Sequence, residues 1–192
     1  MNDLPQNTAL SAEIDRFFAR FQHHCPDPQT EFDAEWPSPC EQGTHWVDDQ
    51  GVARIRWQPQ QRQAPYLDFA NLEAALEFPL HDDIKTHYGR YWAANIGAHA
   101  EEGDLTLLYL WNQTDVDRLI ENLIGHAVAC RNNRTPFAVF FAVAEPDSEY
   151  FLTINNTSGA VQLEAPGKKP LRTLAPDLAT FMAGLQPGWI HD

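Results

Sequence analysis

Leu10, Ile14, Phe17, Phe18 and Phe21 recur at three- and four-residue spacing, which predicts an amphipathic helix over residues 9–22. Ser11 and Glu13 supply capping chemistry at its start. Pro26, Pro28, Pro37 and Pro39 then break any regular pattern and predict a loop over residues 26–43. Trp46-Val47 and residues 52–57 read as two strands, with Gly51 suited to the tight hairpin turn between them. Residues 58–65, rich in Gln and Pro, read as an exposed connection. Leu72, Leu76, Ile84, Tyr88, Tyr91 and Trp92 predict two helices broken near Pro79. A strand is expected over residues 104–111, and its nearly continuous apolar centre, 105–110, suits a strand covered on both faces.

The strongest helical stripe follows, through Val116, Leu119, Ile120, Leu123, Ile124, Ala127 and Val128, with Thr114 and Asp117 spaced as a capping box. Residues 137–143 read as a buried strand. Residues 150–154 and 160–163 read as a hairpin around Asn155, Asn156, Thr157, Ser158 and Gly159. Lys168 and Lys169 form a basic turn before a short strand near 171–174, and a last helix is expected over 176–185. Helices and strands mix without regular βαβ alternation or internal repeat. The expected class is therefore α+β: one domain over residues 1–192, a mainly antiparallel sheet flanked by helices.

Charge narrows the partners. Asp and Glu number 27 against 13 Lys and Arg, a formal net charge of −14. Nucleic-acid binders gain affinity by neutralising phosphates with cations, and adhesion to anionic lipid needs the same cations, so neither partner is expected. An acidic surface instead raises the encounter rate with a basic protein, or serves solubility alone. The acids are also unevenly placed. Asp27, Glu31, Asp33, Glu35, Glu41, Asp48 and Asp49 fall between Arg20 and Arg54 with no Lys or Arg among them. The stretches between Arg62 and Lys85 and between Arg90 and Arg118 are likewise free of Lys and Arg and carry five acids each. Their convergence on one sheet edge would make a negative concavity.

The three cysteines, Cys25, Cys40 and Cys130, show no framework spacing and suit a reducing compartment. The amino terminus shows no basic and apolar secretory pattern, and the longest apolar run, 137–144, falls far short of the roughly 20 residues that span a bilayer. A cytoplasmic location is expected.

Catalytic chemistry is thinly represented. The chain has no Gly-rich phosphate loop, nucleophile elbow, His-Glu-x-x-His or Cys-x-x-Cys. Contiguous His23, His24 and Cys25 suit a metal poorly, since helix neighbours point in different directions. His81 beside Asp82 and Asp83 is open to an acid/base reading or to a helix amino terminus, and His126 with Cys130 to a thiolate pair or a structural cysteine. A small hydrolase would have to use His81 or His126. No cofactor or metal is expected. Gly125, mid-helix and opposite Val116, suggests close approach of another backbone, either the chain's own amino-terminal loop or a partner's.

Ser38-Pro39-Cys40, Trp57-Gln58-Pro59, Leu105-Thr106-Leu107-Leu108, Asn156-Thr157-Ser158-Gly159 and above all Glu121-Asn122-Leu123-Ile124-Gly125-His126 resemble the Syd family of SecY-interacting proteins. The resemblance covers nearly the whole chain. It implies a SUKH-superfamily α+β fold and a non-enzymatic monomer. Such a protein binds the basic cytoplasmic loops of SecY in the SecYEG translocon through an acidic concave groove and monitors translocon assembly. Membrane association at the cytoplasmic face of the inner membrane would then be indirect, through SecY, whose cytoplasmic loops carry Lys and Arg. Matching positions make Glu77, Glu102, Asp115 and Glu121 the candidate groove acids. A SUKH-type immunity protein neutralising a basic toxin would show the same fold and acidity.

Overall fold

The stripe at the start of the chain forms α1 (Thr8–His24), with Leu10, Ile14, Phe17, Phe18 and Phe21 all buried. The structure is a computed structural model and describes residues 8–63, 67–145 and 149–188. After α1 come β1 (Gln29–Glu31), β2 (Glu41–Val47), β3 (Ala53–Trp57) and β4 (Gln60–Gln61). Next are α2 (Ala70–Leu76), α3 (Asp82–Arg90), β5 (Tyr91–Trp92), β6 (Ile96–Ala100), β7 (Gly103–Leu107) and α4 (Gln113–Asn133). The chain continues through β8 (Ala138–Ala144), β9 (Phe151–Asn155), β10 (Val161–Glu164), β11 (Arg172–Ala175), α5 (Leu178–Gly184) and β12 (Gln186–Pro187).

Seven strands form the main sheet in the order β11-β10-β9-β8-β7-β6-β12, every neighbouring pair antiparallel. This is the expected α+β class with a mainly antiparallel sheet. The strands β7 and β8 are neighbours even though α4 lies between them in the chain. β1, β3 and β2 form a smaller antiparallel sheet, and β4 pairs with β5. Aromatic rings tie α1 to the body: Phe18 stacks on Tyr91 at 4.2 Å and approaches Tyr109 at 5.1 Å. On the central strand β8, Phe141 meets His87 of α3 at 5.6 Å and Phe181 of α5 at 5.8 Å. Burying each such ring stabilises the fold by about 1.5–3 kcal/mol.

Local chemistry explains where elements stop. Asp48 Oδ1 accepts the backbone N–H of Gln50 and of Val52, and Gly51 takes φ 82°, so the β2–β3 hairpin closes where expected. Asn156 ties the β9–β10 turn to the start of α3. Its Oδ1 accepts the His81 N–H at 2.9 Å, and its Nδ2 donates to Pro79 O at 3.0 Å. Gly159, at φ +74°, lies flat against the His81 ring; a Cβ there would come within 2.5 Å of it. Asp83, 1% exposed, accepts the N–H of Leu178 at the first turn of α5.

Four expectations are corrected. Tyr91 and Trp92 leave the helix to pair with β4, because α3 ends at Arg90, whose guanidinium is gripped by Asp15 of α1 (Nε to Oδ1 2.7 Å). Residues 26–43 include β1 and the start of β2, held by β3, so only part of them is loop. The cap of α4 sits two residues earlier than Thr114. Asn112 accepts the Asp115 N–H, and Asp115 reaches back to the Trp111 N–H at 3.0 Å. Gly125 is exposed, and among the described residues nothing lies within 4 Å of where its Cβ would be, so the expected close approach is not made by any described segment of the chain. The buried stripe of α4 accordingly runs through Val116, Leu119, Leu123 and Cys130, leaving Val128 53% exposed. Of the stretch 58–65, residues 64 and 65 lie outside the described residues, as does the amino terminus over residues 1–7.

Candidate partner-binding cleft

Between the small sheet, the first half of α4 and the edge of the main sheet opens a cavity of about 650 Å³. Its sides are aromatic because several elements end there with rings turned inward. Phe21 comes from the end of α1, Trp57 from β3, Tyr88 from α3, Phe140 from β8 and Tyr109 and Trp111 from the segment after β7. Trp57 locks this wall by stacking on Phe21 at 5.6 Å and meeting Trp111 edge-on at 5.9 Å.

The connection from β1 to β2 closes over one side. Ser38 Oγ donates to Trp111 O at 2.6 Å, Asn112 Nδ2 donates to Pro37 O at 3.0 Å, and Trp111 Nε1 donates to Trp36 O at 3.2 Å. Cys40, fully buried, donates its N–H to Ser38 Oγ, and its carbonyl accepts the Gln58 N–H. These bonds explain why a Ser-Pro-Cys triplet and a Trp-Gln-Pro triplet lie where they do: both fasten the small sheet to the strand leading into α4.

From α4 the side chains of Asp115, Arg118, Leu119 and Asn122 line the cleft, and Glu31 of β1 faces it from the other wall. Arg118 lays its guanidinium over the Trp36 ring, 4.0 Å from the centroid. The thiol at the cleft, Cys25, is held above its ordinary range by burial first and then by Asp27, which suits an inert thiol better than a nucleophile.

The family model described as Syd protein (SUKH-2) matches residues 7–187. The chain belongs to the Syd family. It is 37% identical over 181 residues to Protein Syd of Pseudoalteromonas atlantica, covering 94% of this chain and 95% of that one. It is also 37% identical to Protein Syd of Alteromonas mediterranea (93% and 96% covered), and 35% identical to that of Idiomarina loihiensis (93% and 94%).

Against this Syd fold, the four candidate acids fall in different places. Asp115 lines the cleft, where its carboxylate also caps α4. Glu121 is exposed on α4 three residues beyond Arg118, which makes the two neighbours on the helix surface, but it does not itself line the cleft. Glu77 sits at the far end: it closes α2 at φ 65° and pairs with Arg131 at 3.3 Å. Arg131 is 16 residues beyond Asp115 on the same helix, about 24 Å along its axis at 1.5 Å per residue. Glu102 is exposed in the β6–β7 turn, at the opposite end of β7 from the segment leading into α4. Of the four candidate acids only Asp115 lines the cleft; Glu121 lies one turn from Arg118 on the same helix, and Glu77 and Glu102 lie elsewhere.

Sequence reasoning missed Trp36, Arg118 and Glu31 as cleft residues. The signal was weak: Trp36 lay in a Pro-rich loop and Arg118 on the polar side of a helix.

The histidines weighed for acid/base work have structural partners. His81 caps α3, its Nδ1 accepting the Asp83 N–H at 3.2 Å. His126 Nε2 lies 3.0 Å from Ala138 O and Cys130 Sγ 3.5 Å from the same nitrogen, tying α4 to β8. Among the described residues no group of three His, Cys, Asp or Glu is placed to hold a metal ion, and no helix is long and apolar enough to cross a membrane.

Proposed function

We propose that this Syd-family chain is a non-enzymatic protein that binds the basic cytoplasmic loops of SecY in the SecYEG translocon and monitors translocon assembly. The observation that carries the reading is family membership over residues 7–187 in a chain of net charge −14. The aromatic cleft, with Asp115 within it and Glu121 one turn from Arg118 on the same helix, supplies a place where basic loops can seat. Acidic charge steers the encounter, and apolar contact in the cleft holds the complex. The chain acts as a monomer on the cytoplasmic face of the inner membrane, held there by SecY without touching nucleic acid.

The test is a salt series of binding to SecYEG nanodiscs, with Glu77, Glu102, Asp115 and Glu121 neutralised in turn. Affinity is expected to fall as salt rises. Asp115→Asn and Glu121→Gln should cost most, because these acids lie in or beside the cleft. No binding above empty nanodiscs at low salt would end the SecY reading. Binding indifferent to both salt and substitution would end the acidic-groove mechanism.

A further inference from the structure

We propose that the cleft holds an arginine side chain of its basic partner, its guanidinium lying on the Trp36 ring where Arg118 now lies. The inference deepens the reading of the chain as a binder of basic loops and rests on it.

The geometry comes from the cleft itself. Trp36 is a fixed platform, because its carbonyl accepts the Trp111 Nε1–H at 3.2 Å and Pro37 O next to it accepts Asn112 Nδ2. A guanidinium already occupies the ring face: Arg118 lies 4.0 Å from its centroid. Arg118 is the one Lys or Arg among the described residues lining the cleft, and it makes no ion pair among them. On α4 it is flanked one turn away on each side by Asp115 and Glu121, while Glu31 lines the opposite wall.

An aromatic face in a cleft lined by the carboxylates of Glu31 and Asp115 is a recognition site for a planar cation, and Arg118 shows the ring face filled from within. A guanidinium suits it better than an ammonium because it stacks flat while its N–H groups reach carboxylates in the ring plane. Arg118 is exposed and makes no ion pair among the described residues, so it can swing off the ring towards Glu121, its neighbour one turn along, when a partner arginine arrives. It therefore acts as an internal competitor, weakening the cleft for arginine and rejecting partners that bring nothing to replace it.

The experiment measures binding of the full-length protein to two capped peptides of identical length, one repeating Gly-Ser-Arg and one repeating Gly-Ser-Lys. The wild type, Arg118→Gln and Trp36→Leu are compared by calorimetry. Arg118→Gln is expected to bind the arginine peptide about three- to tenfold more tightly than wild type, with a smaller gain for the lysine peptide. Trp36→Leu should lose the preference for arginine over lysine. Equal affinity of wild type and Arg118→Gln, or no arginine preference in either, would overturn the proposal; Arg118 is a surface residue, so that comparison does not depend on the Trp36 variant folding. If the peptides fail to discriminate while wild type still binds SecYEG nanodiscs, the arginine subsite falls and the SecY reading stands. If the peptides discriminate as expected and the nanodiscs do not bind, the subsite stands and its basic partner is not SecY.

Discussion

His87 makes the protein's stability depend on pH through a buried, uncharged imidazole. The ring is fully buried against Tyr88, Tyr109 and Phe141, and its Nε2 lies 2.9 Å from Leu108 O. Nε2 therefore carries the hydrogen and donates it, while Nδ1 is buried without a partner among the described residues. Protonating Nδ1 would bury an uncompensated charge, and burial accordingly lowers the pKa from 6.5 to about 4. The two phenols facing the ring are themselves held neutral by burial, so neither offers a countercharge. In the unfolded chain the ring titrates near its ordinary value. Between the two values the unfolded state binds more protons, so this contribution is fully present above pH 6.5 and is lost as pH falls towards 4.

The full effect is about 3 kcal/mol at 1.36 kcal/mol per pKa unit, of which about 1.8 kcal/mol is lost between about pH 7 and about pH 5. Urea unfolding followed by tryptophan fluorescence at those two pH values measures it, with His87→Gln as the reference. Carboxylates titrate in both proteins and cancel in the difference. The wild type should lose about 1.8 kcal/mol more than the variant on acidification. Equal losses would refute the reasoning, and a larger loss in His87→Gln would reverse its sign.

Two further outcomes test the corrected details of α4. Gly125→Ala should raise stability by about 0.5–1 kcal/mol in chemical denaturation, since mid-helix Gly costs about that much and open space surrounds the new Cβ among the described residues; a loss of stability would mean that something does press on that face. Asn112→Ala should cost about 1–3 kcal/mol by removing both the cap that accepts the Asp115 N–H and the bond from Nδ2 to Pro37 O, whereas Thr114→Ala should be close to neutral. The reverse order would restore the cap at Thr114.

The proposed basic partner and arginine subsite would give the charge pattern a spatial meaning that net charge lacks. Seven described Lys and Arg side chains are paired with carboxylates, including Arg56 with Asp27, Lys85 with Asp82 and Arg131 with Glu77. The exposed pairs among them, Arg56 with Asp27 and Arg131 with Glu77, contribute little to stability, and each removes a negative charge from the surface that a partner meets. Glu77 is thereby partly neutralised by its own chain, while Glu121 makes no ion pair among the described residues. Acids with equal formal charge are therefore unequal as contacts.

What local sequence determines here is local structure and family. The spacing of Leu10 to Phe21 sufficed for α1, because one helix face must be buried whatever it packs against. Gly51 and Asp48 sufficed for the β2–β3 turn, since turn geometry is decided within a few residues. Ile96-Gly97-Ala98-His99-Ala100 was illegible as β6, because small residues carry no alternation and only pairing with β7 and β12 makes them a strand. The cleft was beyond reach for a stronger reason. Its walls come from residues as far apart as Phe21 and Phe140, and only the folded chain sets Arg118 over Trp36, 82 positions earlier. Net charge sums over the chain without regard to order, so it is open to a basic partner or to solubility alone and says nothing of where a partner binds. Asp115 and Glu121 were separated from Glu77 and Glu102 by the length of α4 and the direction of β7, which are facts of tertiary structure alone.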